Sequence, residues 1–190
     1  GRVRAIRGVG RVRRAPNLLT LLRLVLTGFL SYYLLNNFGA MVFPFLIFLL
    51  ILLTDYFDGK IARLYGLATP GGAIFDLLAD LFFMLLSHLV LVAFRLIPSW
   101  FLFVIILKFI EFVVTSFFLS RSDDGKGIFV FDFLGRLVSV AFYLYPALLY
   151  VSYWYSPGVY AFCINKLCYI IILLAFLSSV YRVWRCFHGN

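Results

Sequence analysis

Six long apolar stretches, separated by short polar or Gly- and Pro-containing breaks, make up most of this 190-residue chain. A helix needs about 20 apolar residues to cross the hydrocarbon core of a bilayer, and each stretch is long enough. The pattern therefore predicts an all-α integral membrane fold with six transmembrane helices. They are predicted over residues 17–36, 40–63, 72–95, 98–120, 133–154 and 159–184.

The composition supports a membrane location. Hydrophobic residues make up 64% of the chain and charged residues 13%, and the mean hydropathy is +1.04. These values lie outside the range of soluble globular domains. We expect one transmembrane domain over residues 16–186, preceded by a short basic juxtamembrane segment at residues 1–15. That segment lacks the short apolar run and the small-residue cleavage site of a secretory signal peptide, so no cleavage is expected.

The net charge of +9 is unevenly distributed. Six arginines lie within the first fourteen residues, spaced by small and apolar residues: Arg2, Arg4, Arg7, Arg11, Arg13 and Arg14. Nucleic-acid binding is one interpretation of such a segment. A basic, partly apolar segment directly before a transmembrane helix is more typical of a segment that lies on anionic lipid or sets the topology. We therefore expect no nucleic-acid partner.

The basic residues between the predicted helices indicate the orientation of the bundle. Basic residues concentrate in cytoplasmic segments of membrane proteins. One side receives the N-terminal arginines and then Lys60, Arg63, Arg121, Lys126, Arg136, Arg182 and Arg185. The opposite side receives only Arg95 and Lys166. Both termini are therefore predicted to be cytoplasmic.

Four of the eight acidic residues cluster at the cytoplasmic ends of the second and third predicted helices. They are Asp55, Asp58, Asp76 and Asp80. An ionisable residue within a membrane span costs about 2.5–3.5 kcal/mol on insertion scales, which makes each one a functional candidate. Four neighbouring carboxylates also repel one another in a low dielectric unless a cation neutralises them. The cluster predicts a divalent metal site at the membrane surface.

Helical periodicity places these carboxylates on two narrow stripes that also carry small residues. The stripes are Asp55, Asp58, Gly59 and Ala62 on the second helix, and Gly72, Asp76, Ala79 and Asp80 on the third. Two such helices can approach closely and direct four carboxylates into one cleft. Mg²⁺ takes oxygen ligands and keeps open positions for phosphate oxygens. Four carboxylates could hold two such ions, an arrangement that suits displacement at phosphorus.

Two other interpretations remain open on these residues alone. The small residues could serve only to pack two helices tightly. The carboxylates could instead form the ion or proton pathway of a cation transporter, where they also face the bundle interior. However, the hydropathy pattern shows no obvious repeated half, and the four carboxylates lie near one membrane surface.

The order of these residues resembles a known family. The pattern Asp-x2-Asp-Gly-x2-Ala-Arg-x8-Gly-x3-Asp-x3-Asp is the signature of the CDP-alcohol phosphotransferases, and every fixed position is met. The matching residues are Asp55, Asp58, Gly59, Ala62, Arg63, Gly72, Asp76 and Asp80. The resemblance implies a homodimeric membrane enzyme of phospholipid biosynthesis. Such an enzyme moves the phosphatidyl group of CDP-diacylglycerol to an alcohol hydroxyl and releases CMP. A relative that binds the lipid without turnover would carry the same motif.

The resemblance also implies roles for individual residues. Asp55, Asp58 and Asp76 would bind one or two Mg²⁺ or Mn²⁺ ions, and Asp80 would be a further ligand. Asp80 would also be the general base that takes the proton from the acceptor hydroxyl. The residues expected to contact the cytidine diphosphate or to leave room for it are Gly59, Ala62, Arg63, Thr69 and Gly72.

A second match lies in the first predicted helix. Its segment Pro16-Asn17-Leu18-Leu19-Thr20-Leu21-Leu22-Arg23 resembles the Pro-Asn-x2-Thr-x2-Arg opening of phosphatidylglycerophosphate synthase-type members. This resemblance implies that Asn17 and Thr20 line the nucleotide site. The alternative is an ordinary helix start, with proline in the first turn.

The acceptor alcohol is less clearly indicated. Phosphatidylglycerophosphate synthases tend to carry Arg-Glu-Phe in the fourth span and Gly-Lys-x-Lys-Thr before the fifth. This chain has Ile110-Glu111-Phe112 and Gly135-Arg136-Leu137-Val138-Ser139, so two basic residues are missing. Glycerol 3-phosphate is slightly favoured, with inositol, inositol phosphate, serine and phosphatidylglycerol as alternatives.

Three basic residues could hold a phosphorylated acceptor in place of the missing ones: Lys108, Arg121 and Arg136. Lys108 could equally be a partner for Glu111 across one helical turn. The lone histidines, His88 and His188, are not expected to be catalytic. The three cysteines form no CxxC pair and are interpreted as small apolar residues.

Overall fold

The computed structural model describes residues 15–64, 69–122 and 132–188, and all regular structure in these ranges is helical. The helices are α1 (Ala15–Asn36), α2 (Val42–Leu64), α3 (Pro70–Ala93), α4 (Trp100–Ser122), α5 (Phe133–Tyr155), α6 (Pro157–Phe162) and α7 (Cys168–His188). A π-helical turn (Cys163–Leu167) joins α6 to α7. Residues 1–14 lie outside the described ranges, so the basic juxtamembrane segment stays a prediction.

Six of the helices are long and apolar enough to cross a membrane. Their spanning segments are Leu18–Asn36, Val42–Ile61, Pro70–Ala93, Trp100–Phe118, Phe133–Tyr155 and Cys168–Phe187. The predicted all-α fold with six spans is therefore confirmed. The chain forms two compact units that divide within α3, between Leu86 and Ser87.

The first unit contains α1, which has a buried polar stripe and exposed apolar faces. The polar residues recur at helical spacing and are nearly inaccessible: Thr20, Arg23, Thr27 and Ser31. The hydroxyls of Thr27 and Ser31 donate to the carbonyl oxygens of Arg23 and Thr27, one turn earlier. Exposed apolar residues cover the other faces, among them Leu18, Leu21, Val25 and Phe29. This arrangement suits a lipid environment, because polar groups in a membrane protein are stabilised by facing the protein interior.

The start of α3 has a sequence-encoded cap. Thr69 lies at the N-cap position, Pro70 is the first helical residue, and the backbone N–H of Gly72 donates to Thr69 Oγ1 over 3.1 Å. Proline is favoured at this position because its missing N–H would have no helical partner, and threonine is a preferred N-cap. The cap fixes where the helix begins, and hence the register of the aspartates that follow.

The end of α3 lies in the second unit and depends on Arg95. The N–H of Leu96 donates to the carbonyl oxygen of Leu91, and the N–H of Arg95 donates to that of Val92, each over 2.9 Å. This is the hydrogen-bond pattern of a Schellman motif, which needs a left-handed residue at the position after the cap. Arg95 supplies it with φ of 57°. A non-glycine residue in this conformation is strained.

The sixth span differs from its prediction as one helix over residues 159–184. The structure divides this range into α6, the π-helical turn and α7, and the membrane-spanning part is Cys168–Phe187. The carbonyl oxygen of Cys163 accepts from the N–H of Cys168, five residues later, and also from the hydroxyl of Tyr145 over 3.3 Å. The carbonyl oxygen of Cys163 thus accepts from α5 as well as from the turn in which it lies. Apolar patterning alone does not reveal such a turn.

The second unit also contains an aromatic core around His88. The imidazole is fully buried, with ring centroids 5.5 Å from Phe101 and 6.0 Å from Tyr145. His88 therefore packs within the aromatic core of the second unit. Two of the cysteines are buried and the third is half-buried, and all three are free thiols: Cys163, Cys168 and Cys186.

Candidate active site

The first unit brings together carboxylates from two helices. Oxygen atoms of Asp55 on α2 and of Asp76 and Asp80 on α3 all lie within 4.8 Å of one another. Asp76 and Asp80 are four residues apart and therefore stack on one face of α3. Their side chains are 43% and 31% exposed, and that of Asp55 is 39% exposed. All three groups are therefore partly accessible at the surface of the described structure.

A guanidinium group lies among these carboxylates. Nη1 of Arg23 donates to Asp55 Oδ1 and, over 3.0 Å, to Asp80 Oδ1. Nη2 donates to Asp76 Oδ1 over 2.5 Å and to the backbone carbonyl oxygen of Asp76 over 3.2 Å. The arginine side chain is only 1% exposed. Arg23 therefore ties α1 to the two helices that carry the aspartates.

Asp58 lies beside this group in a more buried position and is 5% exposed. Its Oδ2 accepts a hydrogen bond from the hydroxyl of Thr20. Its Oδ1 is buried and has no hydrogen-bond partner among the described residues. A buried carboxylate oxygen without a partner is costly, and a bound cation would offset that cost.

The structure describes some of the remaining predicted site residues but not the side chains of others. Thr69 caps α3 and Gly72 donates to that cap, so both lie at the beginning of the helix that carries Asp76 and Asp80. Gly59 lies next to Asp58 on α2. The side chains of three predicted nucleotide contacts lie outside the described part of the chain: Asn17, Ala62 and Arg63. The predicted nucleotide contacts therefore stay predictions.

A second polar network lies in the second unit, between α4 and α7. Lys108 Nζ donates to Glu111 Oε2 over 2.6 Å, to Ser178 Oγ over 3.2 Å and to Ser179 Oγ over 3.0 Å. Ser179 Oγ also donates to Glu111 Oε2 over 2.9 Å. The expected pairing of Lys108 with Glu111 is present. All three ammonium protons have partners, so an acceptor would have to displace one of them.

Arg182 of α7 extends the network to the start of α5. Its side chain is 1% exposed, and Nη1 donates to Asp132 Oδ1. Nε donates to Thr115 Oγ1 over 2.9 Å, and Nη2 donates to Ser116 Oγ over 3.0 Å. Asp132 caps α5 through its other oxygen, which accepts from the N–H of Gly135 over 2.9 Å. Arg182 thus joins α4, α5 and α7 within the second unit.

The structure describes the side chain of one of the other two predicted acceptor contacts and only the backbone of the other. Arg136 is exposed and lies in the first turn of α5, immediately after Gly135. Arg121 belongs to α4, but its side chain lies outside the described part of the chain. All three acceptor contacts stay predictions.

Three buried charged residues were not singled out for their chemistry from the sequence: Arg23, Asp132 and Arg182. Arg23 entered only as the last residue of a motif, although its spacing with Thr20 and Thr27 forms a polar stripe in an apolar helix. A charged side chain within a membrane span is costly unless it faces protein. The arginine in this apolar helix was therefore the signal that the sequence offered. Asp132 is a typical N-cap residue three positions before Gly135. Nothing in the sequence near it indicates that its ion-pair partner is Arg182 of α7.

Comparison with known families agrees with this geometry. The family model described as CDP-alcohol phosphatidyltransferase matches residues 13–184. The chain belongs to the CDP-alcohol phosphatidyltransferase family. The matched range contains α1 to α6 and all but the last residues of α7, so both polar networks lie within the family region. The predicted family is confirmed, and it is a family of membrane transferases.

Several curated relatives are similar to part of the chain. A protein of Rickettsia typhi named CDP-diacylglycerol–glycerol-3-phosphate 3-phosphatidyltransferase is 40% identical over 70 residues, which is 36% of this chain and 39% of the relative. A Bacillus subtilis protein of the same name is 34% identical over 92 residues, 48% of this chain and 46% of the relative. A Mycobacterium tuberculosis protein named probable phosphatidylglycerophosphate synthase is 42% identical over 79 residues, 40% of this chain and 38% of the relative.

These alignments are partial. The chain spans less than half the length of each of these curated relatives. The family model, in contrast, matches most of the chain. Membership of the family and location in the membrane follow from that match and from the six spanning helices.

Proposed function

We propose that this chain transfers the phosphatidyl group of CDP-diacylglycerol to an alcohol hydroxyl and releases CMP. The observation that carries the proposal is the convergence of Asp55, Asp76 and Asp80 on one point of the first unit. These residues occupy the order and spacing of the family signature. The family assignment favours this transferase over a cation transporter.

The residues present fit a divalent cation. Three carboxylates supply oxygen atoms within 4.8 Å of one another, and Asp58 adds a buried oxygen with no hydrogen-bond partner among the described residues. Hard cations such as Mg²⁺ and Mn²⁺ prefer such ligands. Asp55, Asp58, Asp76 and Asp80 would hold one or two ions. When bound, these ions would stabilise negative charge on the diphosphate and on the departing CMP.

Asp80 is the proposed general base. Its Oδ1 accepts from Arg23, whereas its Oδ2 accepts no hydrogen bond from a described residue. The side chain is 31% exposed, so an alcohol can approach it. A base must come within hydrogen-bond reach of the proton it abstracts. Asp80 Oδ2 would take the hydroxyl proton as the alcohol oxygen attacks the phosphorus bonded to the diacylglycerol moiety, and the bond from that phosphorus to CMP breaks.

The nucleotide half of the lipid substrate would lie along the small residues of α2 and α3. Gly59 and Gly72 lack side chains, so a diphosphate could approach the backbone closely. Ala62, Thr69 and Arg63 would complete this side of the site, and Asn17 and Thr20 would contribute from α1. Thr20 also holds Asp58 through its hydroxyl, so it supports a proposed metal ligand directly.

Glycerol 3-phosphate is the acceptor that we favour. Two of the relatives described above carry glycerol-3-phosphate in their names. Inositol, inositol phosphate, serine and phosphatidylglycerol remain alternatives because the two basic residues noted above are missing. Arg136, Arg121 and Lys108 are the candidate contacts for an acceptor phosphate.

We also propose the finer organisation expected from the sequence. Residues 1–15 would lie on the cytoplasmic membrane surface, and residues 16–186 would form the transmembrane domain. Both termini and the active site would be cytoplasmic, which agrees with the distribution of basic residues. The homodimer rests on the family resemblance.

The test is CMP release by the purified full chain in nanodiscs containing CDP-diacylglycerol, with Mg²⁺ and each of the five acceptors in a separate reaction. Release with one acceptor, abolished in Asp80→Asn, would establish the reaction and its product. Asp132→Asn is the matched control, because it changes a buried aspartate of the second unit. Equal loss in folded samples of both variants, or release in Asp80→Asn, would contradict the proposed base. Binding of CDP-diacylglycerol without CMP release would favour a non-catalytic relative.

A further inference from the structure

We propose that Arg23 is the built-in counter-cation of the aspartate cluster and that it competes with the divalent metal for the same carboxylates. In this role Arg23 holds the carboxylates together in the metal-free protein. It also weakens metal binding enough for a bound metal ion to be released and replaced. The inference rests on the proposed metal site and concerns how that site is regulated.

The contacts of Arg23 cover the proposed ligand set. Both terminal nitrogens are engaged, and their acceptors are one carboxylate oxygen each of Asp55, Asp76 and Asp80. These are the three groups whose oxygen atoms lie within 4.8 Å of one another. A cation that binds this set therefore meets a guanidinium that is already bonded to it. The metal ion would use the same three carboxylates as Arg23, and the two positive charges repel each other, so binding of one opposes binding of the other.

The charges in the first unit give the competition its direction. Four carboxylates face one guanidinium, so the group carries a net charge of −3 when all are ionised. Unit charges about 4 Å apart interact by about 4 kcal/mol at an effective dielectric constant of 20. Removal of Arg23 would leave the carboxylates mutually repelled, and it would also remove a positive charge that repels an incoming Mg²⁺ or Mn²⁺. The metal-free protein would become less stable and the metal would bind more tightly.

Arg182 provides the internal comparison. It is also 1% exposed and also pairs with a carboxylate, that of Asp132. However, its network contains two basic and two acidic residues, with Lys108 and Glu111 as the second pair, so its formal charge is zero. Loss of Arg182 should destabilise the second unit without changing the affinity of the aspartate cluster for a metal ion.

The experiment compares the full-length wild type with Arg23→Gln and Arg182→Gln in nanodiscs, after purification with Mg²⁺ and removal of metal with EDTA. Mn²⁺ alone is titrated, without any lipid substrate, and the free ion is counted by its electron paramagnetic resonance signal. Thermal unfolding is followed with and without Mn²⁺. We expect Kd for Mn²⁺ to fall about tenfold or more in Arg23→Gln. We also expect Tm of the metal-free form to fall and its increase on Mn²⁺ addition to exceed that of the wild type.

Arg23→Lys keeps the test decisive should Arg23→Gln fail to fold. Lysine retains the positive charge but ends in one nitrogen on a flexible chain, so it cannot reproduce the contacts that the two terminal nitrogens of the planar guanidinium make. We expect a smaller decrease in Kd than in Arg23→Gln. Unchanged or weaker Mn²⁺ binding in the variants would overturn the counter-cation role while leaving the proposed metal site intact. The same decrease in Arg182→Gln would also overturn it. Absence of Mn²⁺ binding in the wild type would remove the metal site itself, and the role of Arg23 with it.

Discussion

Nη2 of Arg23 lies 2.5 Å from Oδ1 of Asp76 and 3.2 Å from the backbone carbonyl oxygen of the same residue. One nitrogen of α1 thus holds both the side chain and the backbone of a turn in α3. The carbonyl contact orients the helix and the carboxylate contact orients the ligand. The proposed metal ligands are therefore held by a residue that precedes the family signature by 32 positions.

Thr20→Val should weaken the site through Asp58. The substitution keeps the shape of the side chain but removes the hydroxyl that donates to Asp58 Oδ2. Both oxygens of a buried carboxylate would then lack a donor, at a cost of about 1–3 kcal/mol. We expect a lower Tm without metal, largely restored by Mg²⁺.

Thr27→Val is the control for that change, since the Thr27 hydroxyl donates only to the backbone of its own helix among the contacts described above. Its effect on Tm should be small and independent of Mg²⁺. A decrease of equal size in both variants would contradict the support that Thr20 gives to Asp58.

Arg182 and Asp132 should be strongly coupled in a double-mutant cycle. Removal of one partner from a buried ion pair costs about 3–5 kcal/mol because the other charge is left uncompensated. We expect Arg182→Gln and Asp132→Asn each to lower the free energy of unfolding in detergent, and the double variant to lose far less than their sum. Additive losses would show that the two groups do not interact in solution.

Gly135→Ala should destabilise the start of α5. A Cβ atom at this position would lie 2.8 Å from Asp132 Oδ1, the atom that also accepts from Arg182. The carboxylate could not give way without losing the cap or the ion pair, and loss of a cap costs about 0.5–2 kcal/mol.

The matched control for Gly135 is Gly28→Ala in α1, where a Cβ atom would meet nothing within 4 Å. That change should stabilise the protein by about 0.5–1 kcal/mol, because glycine within a helix is unfavourable relative to alanine. Thermal unfolding of both variants gives the comparison. A stabilising Gly135→Ala would contradict the described position of Asp132.

Arg95→Gly should raise stability, because glycine adopts the left-handed conformation at the end of α3 without the strain that Arg95 has. The expected gain is about 1 kcal/mol. Arg95→Ala removes the same charge but keeps a Cβ atom, so it should bring no comparable gain. Equal Tm increases in the two variants would assign the effect to charge instead of backbone conformation.

Arg136→Gln and Lys108→Gln should separate acceptor binding from structure. Arg136 is exposed, whereas the ammonium group of Lys108 is bonded to Glu111, Ser178 and Ser179. If Arg136 binds the acceptor phosphate, its loss should raise KM for glycerol 3-phosphate about tenfold, since a charged hydrogen bond contributes about 1.5–3 kcal/mol. Its effect on Tm should be smaller than that of Lys108→Gln, because the Arg136 side chain is exposed. Lys108→Gln should lower Tm. An unchanged KM in Arg136→Gln would remove that residue from the acceptor site.

Much of the fold was predictable because the bilayer imposes a strong rule on sequence. Apolar length located the first five spans to within a few residues, whereas the sixth spanning segment begins at Cys168 and not at residue 159. Thr69 with Pro70 marks the start of α3 through local capping chemistry. The π-helical turn was missed because the apolar pattern does not mark it. Its described tertiary contact joins the hydroxyl of Tyr145 to a carbonyl oxygen 18 residues later. Contacts of that kind leave no periodic signal.

The candidate site was predictable to the extent that its residues share a helix. Asp76 and Asp80 were placed on one face of α3 from their spacing, and Asp55 and Asp58 were placed on one face of α2 in the same way. The partner of three of these carboxylates lies on a different helix, 32 to 57 residues earlier in the chain. Pairing between helices depends on the tertiary structure. A single sequence indicates it only indirectly, through the free-energy cost of leaving the charge of Arg23 without a partner.

The position of Arg23 has a consequence for biosynthesis. The described charges of the proposed site lie between residues 23 and 80, on three consecutive helices. Chains emerge from the ribosome in N-to-C order, at about 5–20 residues per second. The arginine therefore enters the bilayer before the aspartates that it pairs with, and the last carboxylate arrives only 57 residues later. Charge pairing in this half of the protein can be complete before translation of the remaining helices has finished.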